Sequence, residues 1–153
     1  MVIIMQVEGF EFPEDRYYLK NHVWLKEHNN KIRIGITDLG QSLSKEIVHI
    51  DLPEKKEYID SGDTLVAYET IKAVSQITLP FDCKVSDVNE ILWEDPNKIN
   101  EDCYGEWMVE VEPQIPQIAQ IKDLCMDVQS AATYYRELIK KERERYVGYD
   151  ITT

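Results

Sequence analysis

The chain has 153 residues, a length that suits one domain with an appended element. Hydrophobic residues make up 43% of it, so a packed core is expected and wholesale disorder is not. A formal net charge of −12, from 29 acidic against 17 basic residues, makes nucleic acid and anionic membrane surfaces poor partners and suits a carrier or docking protein that meets basic surfaces on larger enzymes, or simply a soluble acidic protein.

Cys83, Cys103 and Cys125 are odd in number and widely spaced, with no CxxC. They suggest neither a zinc site nor a disulfide framework, and a reducing, cytoplasmic setting is the economical reading. The start, MVIIMQVEG, lacks a basic n-region and is followed at once by Glu8, Glu11, Glu14 and Asp15, unlike a signal or transit peptide. No apolar run approaches membrane-spanning length.

Val2, Ile3 and Ile4 read as a short edge strand or a partly ordered terminus. Phe10 to Asp15 is acidic and aromatic and ends in a turn. Tyr17-Tyr18-Leu19 leads into His22-Val23-Trp24-Leu25, and Asn29-Asn30 signals a turn before the next strand. There Ile32, Ile34 and Ile36 alternate with Lys31, Arg33 and Gly35, which is strand period with one face buried. Thr37-Asp38 can cap a short helix through Leu43. Ile47 to Leu52 is a further strand, closed by Pro53.

Ser61-Gly62-Asp63 is a turn, and two short strands follow, carried by Leu65 to Tyr68 and by Val74, Ile77 and Leu79. Lys72 sits near the bend between them, in a segment (Glu69 to Ala73) with no Gly, Pro or Asn. On spacing alone, a lysine there is a solvated surface charge. Phe81-Asp82-Cys83 reads as a turn, Lys84 to Val88 as a strand, and Asp95 to Asn100 as a loop with one helical turn begun by Pro96. Trp107, Val109 and Val111 mark a last strand.

From Pro116 the texture changes. Ile118, Ile121, Leu124, Cys125, Val128, Ala131, Ala132, Tyr135, Leu138 and Ile139 recur at three- and four-residue steps. This predicts one amphipathic helix of about six turns with Pro116 near its N1 position, packed on the sheet domain or docking a partner. The whole reads as a small β-sandwich or flattened barrel with helical decoration.

Several blocks carry a resemblance. Glu69-Thr70-Ile71-Lys72-Ala73, after a Ser-Gly-Asp turn and before Leu79-Pro80, is similar to the lipoyl-attachment hairpin of the glycine cleavage system H proteins. In the same order, His22-Val23-Trp24 resembles that family's HEW block and Ile34-Gly35-Ile36-Thr37 its VGIT. Asp51-Leu52-Pro53-Glu54 resembles its LPE segment and Val88-Asn89-Glu90-Ile91-Leu92 its VNEAL. Asn100-Glu101-Asp102 with Tyr104-Gly105-Glu106-Trp107 resembles its NEDPYGEGW stretch. The resemblance runs from about Tyr17 to Pro113.

The resemblance implies a mainly β, lipoyl/biotinyl-carrier-like barrel-sandwich hybrid with short helices and a long C-terminal α-helix. Its units would be an N-terminal extension (residues 1–16), a lipoyl-carrier domain (17–113) and a C-terminal helix and tail (114–153). It implies lipoic acid in amide linkage on Lys72, and Glu69 as the glutamate read by the modifying ligase. The protein would be a carrier, not a catalyst. Its partners would be a lipoate ligase or lipoyl/octanoyl transferase, then glycine decarboxylase, aminomethyltransferase and dihydrolipoyl dehydrogenase.

This sequence departs from the family pattern at several positions. Lys56 stands where the family has the glycine of LPEVG, Val23 replaces the HEW glutamate, Cys103 replaces a proline, and one glycine before Trp107 is missing. The Glu8 to Asp15 segment, the Asn21 to Trp24 block and the tyrosine-bearing C-terminal stretch look more like the related lipoate-binding proteins of heterodisulfide-reductase-like sulfur oxidation. In those, the dithiolane carries sulfur. A third reading is a carrier-like binding module without the cofactor. An enzyme is disfavoured, because no acid/base pair or phosphate loop is visible.

Overall fold

The computed structural model describes residues 2–145. Met1 and the end of the expected C-terminal unit, 146–153, lie outside the described residues. Among the described residues, eleven strands form three sheets. β1 (Ile4–Val7) and β2 (Phe10–Pro13) pair as a hairpin. β3 (Tyr17–Tyr18), β4 (Val23–His28), β5 (Lys31–Ile36), β7 (Tyr58–Ile59), β10 (Cys83–Val88) and β11 (Val109–Pro113) make a six-stranded sheet in the order β3-β4-β5-β11-β10-β7. β6 (Ile47–Asp51), β8 (Thr64–Thr70) and β9 (Val74–Thr78) make a three-stranded sheet in that order. Short helices α1 (Asp38–Ser44), α2 (Ile91–Glu94) and α3 (Lys98–Glu101) and a long α4 (Val128–Arg145) complete the structure.

Local chemistry explains most of these elements. The β4–β5 turn is Asn29-Asn30 with φ of 50° and 63°, the left-handed pair that two-residue hairpins require and asparagine tolerates. Thr37 caps α1 by accepting a hydrogen bond from the Gly40 amide at 3.0 Å, as expected. The β1–β2 hairpin was not foreseen as a pair of strands. Its two-residue turn, Glu8-Gly9, has φ of 51° and 92° and is the same kind of signal.

Two apolar cores result. The main core lies between the six- and three-stranded sheets and contains Leu25, Ile34, Val66, Ile77, Val85 and Val111. The second contains Phe12, Tyr18, Trp24, Leu39, Ala131 and Tyr135, so it joins the N-terminal hairpin, β4, α1 and α4. β4 separates the two: Val23 and Leu25 point into the main core, and Trp24, between them, into the second. This accounts for three consecutive buried residues in one strand.

The single helix expected from Pro116 is not what forms. A 3-10 turn spans Ile118–Asp123, and α4 begins only at Val128. Between them Met126 forms an extended bridge with Tyr18, each amide donating to the other's carbonyl at 2.8 Å. Asp127 then caps α4 by accepting from the Ser130 amide at 2.8 Å. The apolar period runs across the break because the two pieces serve different cores. Ile118 and Ile121 pack on the main core, and Val128, Ala131, Ala132, Tyr135 and Ile139 belong to the second. The apolar stripe of α4 is therefore covered by this chain's own residues.

Candidate functional site

β8 and β9 form a hairpin that projects Lys72 at its apex. The last ladder pair is Glu69 with Val74, and the apex is Thr70-Ile71-Lys72-Ala73. The Thr70 amide donates to the Ala73 carbonyl at 2.9 Å. The Ala73 amide does not return the bond to the Thr70 carbonyl, as a simple two-residue hairpin would. It donates to Thr70 Oγ1 at 3.3 Å, and the Lys72 amide donates to the same oxygen at 3.2 Å. No residue of the apex has positive φ. The threonine hydroxyl thus does what Gly or Asn does in most tight turns.

The Lys72 side chain is exposed, and among the described residues its Nζ has no hydrogen-bond or ion-pair partner. Glu69 is also exposed and lies across the ladder from His49 of β6 on one side and Val74 on the other. His49 pairs with Asp51 at 3.0 Å, and Lys72 is the only lysine or arginine on these three strands and their apex. Ile71 is 82% exposed, Val74 64% and Val48, at the β6 bulge, 48%; these large apolar groups gather around the lysine rather than in the core. An accessible amine beside apolar and acidic groups can be acylated without breaking any internal contact.

The sheet beneath holds this apex rigidly. Tyr68 and Ile77 of the hairpin are buried in the main core, while Ser44 Oγ lies 3.3 Å from Tyr68 Oη. Asn100 of α3 accepts from the Ile47 amide at 2.9 Å and donates to the Lys45 carbonyl at 2.8 Å, fixing the start of β6 beside the apex. A groove of about 650 Å³, lined by Leu19, Asn21, Thr78, Leu79, Leu124 and Cys125, lies at the other end of the hairpin. At strand rise it is roughly 20 Å from the apex.

The sequence reading put Lys72 and Glu69 at this site, and both stand on the hairpin. It missed Thr70, although a threonine two residues before the apex of a turn without Gly or Asn is itself a signal. Cys83 is buried where β10 pairs with β7 and β11. Burial pushes its thiol up to about 11 and those of Cys103 and Cys125 up to about 12, so all three are protonated near neutrality. No group of metal-ligating side chains occurs among the described residues. Several tyrosine hydroxyls are internal anchors: Tyr18, Tyr104 and Tyr135 donate to the carbonyls of Pro13, Glu11 and Leu19.

Lys56, in place of the family's glycine, keeps the backbone that glycine favours. Its φ is 73°, and its amide donates to the Val85 carbonyl at 2.8 Å. Val23, in place of the glutamate, is fully buried in the main core.

Two sheets closed over one core, with a lysine presented at the bend of a hairpin, define a barrel-sandwich hybrid of the lipoyl-carrier type. The family model described as Glycine cleavage H-protein matches residues 16–140. A glycine cleavage system H protein of Aquifex aeolicus is 38% identical over 142 residues, which is 92% of this chain and 81% of that relative. A probable glycine cleavage system H protein of Pyrococcus horikoshii is 34% identical over 88% of this chain and 100% of its own length. The crystal structure of a glycine cleavage system H protein from Mycobacterium marinum superposes with a TM-score of 0.71 at 25% identity, covering 81% of this chain and 98% of that one. The chain belongs to the glycine cleavage H-protein family. Among the described residues, no helix is long and apolar enough to cross a membrane.

Proposed function

We propose that Lys72 carries lipoic acid in amide linkage and that this protein is the mobile carrier of a glycine cleavage system. Its arm would take the aminomethyl group released by glycine decarboxylase, present it to aminomethyltransferase, and be reoxidised by dihydrolipoyl dehydrogenase. The observation that carries this reading is Lys72 itself: an exposed, unengaged amine at the apex of a rigid hairpin, in a chain of this family. The lipoyl group supplies the dithiolane that holds the cargo. The chain's own residues supply presentation. The hairpin holds the amine clear of the surface, and amide formation removes the one cation of the three-stranded sheet and its apex.

Glu69 is the residue that a lipoate ligase or lipoyl/octanoyl transferase reads, three positions before the target amine and on the exposed face. Ile71, Val74 and Val48 give the modifying and partner enzymes an apolar contact around it. Residues 17–113 act as the carrier domain, with 1–16 and 114–153 appended to it. The setting is the cytoplasm, where the three cysteines stay reduced. The chain acts as a substrate of its partners and not as a catalyst.

A second reading keeps the lipoyl arm but makes sulfur the cargo, in heterodisulfide-reductase-like oxidation. It is favoured by Val23, which leaves no carboxylate in the place of the HEW glutamate.

The test is the intact mass, with peptide mapping, of the protein purified from its own cells. A lipoyl increment on the peptide containing Lys72 supports the carrier role, and an increment bearing extra sulfur supports the second reading. An unmodified Lys72, in cells whose other lipoyl proteins are modified, overturns both and leaves a binding module without the cofactor.

A further inference from the structure

We infer that Thr70 is the positioning residue for acylation of Lys72, an inference that rests on the lipoyl reading above. The two peptide planes flanking the Lys72 Cα are those of the Lys72 and Ala73 amides. Both amides donate to one atom, Thr70 Oγ1, at 3.2 and 3.3 Å. The same hydroxyl reaches the Ala73 carbonyl at 3.4 Å. One side chain therefore fixes φ and ψ of the lysine, and with them the direction of its Cα–Cβ bond. The only other hydrogen bond across the apex among the described residues is the one from the Thr70 amide to the Ala73 carbonyl, which leaves the Lys72 and Ala73 amides to the hydroxyl. The apex has no glycine, no proline and no positive φ, and the lysine side chain has no partner of its own.

This matters because the acyl transfer is a displacement that needs alignment. Lys72 Nζ, as the free amine, forms a bond to the lipoyl carbonyl carbon of an activated lipoyl adenylate. The bond from that carbon to the AMP oxygen breaks, AMP leaves with the electron pair, and the amine's proton passes to solvent. The ligase must receive the lysine along one line of approach. An apex that samples many conformations presents that line for only a fraction of the time, which raises the apparent KM for the carrier and leaves kcat alone.

The experiment compares the unmodified wild type, Thr70→Val and Thr70→Ser as substrates of a lipoate ligase supplied with lipoic acid and ATP. Valine keeps the β-branch and removes the acceptor; serine keeps the acceptor. For Thr70→Val, KM for the carrier rises about tenfold with kcat within about twofold, the size expected from losing one such acceptor. Thr70→Ser restores KM to within about twofold of wild type. Amide hydrogen exchange, read without the ligase, shows faster exchange at Lys72 and Ala73 in Thr70→Val only. Melting curves confirm that the sheet core is intact in all three proteins. Unchanged KM or unchanged exchange in Thr70→Val, with wild type lipoylated normally, overturns this inference and leaves the carrier reading standing. So does a Thr70→Ser variant as impaired as valine. A wild type that neither the ligase nor a lipoyl/octanoyl transferase modifies overturns both.

Discussion

Trp24 and Gly35 face each other across the β4–β5 ladder, and a Cβ on Gly35 would lie 2.5 Å from the indole ring. The indole occupies the space that every other residue would fill at that position. It donates from Nε1 to the Cys103 carbonyl at 3.0 Å, and the Arg16 guanidinium stacks over it 4.7 Å from the ring centroid. The ring is thus held on three sides and cannot yield cheaply.

Gly35→Ala is therefore expected to destabilise the protein by about 2–3 kcal/mol, as overpacking a filled core does. Urea unfolding measures this. A loss below about 0.5 kcal/mol would mean that the indole moves freely, contrary to its hydrogen bond and stacking.

Lys72→Arg is expected to leave the fold untouched, because the side chain is exposed and no other group depends on it. It removes the amine proposed as the attachment point, since a guanidinium stays protonated and does not replace it. The variant should melt like wild type and show no lipoyl increment by mass. Carrier activity with its own partner enzymes should be abolished, and activity retained at the wild-type level would refute the attachment site.

Lys56 occupies left-handed backbone with φ of 73°. Lys56→Gly should raise stability by about 0.5–1 kcal/mol, because relief of the Cβ clash exceeds the extra unfolded-chain entropy of glycine. Lys56→Val should lower it by about 1–2 kcal/mol, because a β-branched residue fits this region worst. Denaturant midpoints of the two variants should fall on opposite sides of the wild type.

The His22 side chain is half-buried, and its buried Nδ1 finds no partner among the described residues. Burial disfavours the charged ring and holds its pKa below the ordinary 6.5. The unfolded chain therefore binds this proton more readily than the native one. Stability is full above about pH 7, falls as pH drops through the unfolded value near 6.5, and levels off below the depressed native value. His22→Asn suits the backbone φ of 67° and should flatten this part of the profile. Melting temperatures at pH 7.5 and pH 5.5 for both proteins check it; an equal drop in the variant would assign the slope to other groups.

Much of the architecture is written locally. The alternation at Ile32, Ile34 and Ile36, the Asn29-Asn30 turn, the Thr37 cap and the hairpin bearing Lys72 and Glu69 depend on residues within a few positions of one another. Dihedral preference and side-chain period therefore suffice to read them. What the tertiary structure alone decided involves partners far apart along the chain. The bridge between Tyr18 and Met126 breaks what periodicity presents as one helix. The second core turns the N-terminal hairpin and α4 into supports for β4, and it draws tyrosine hydroxyls inward to carbonyls that water cannot reach. Cys83 is buried because two strands flank it, a fact that no window around residue 83 contains. Local propensities propose the elements, but satisfying buried polar groups and covering apolar faces requires the whole chain, and there the helix start, the cysteines and the anchoring tyrosines were settled.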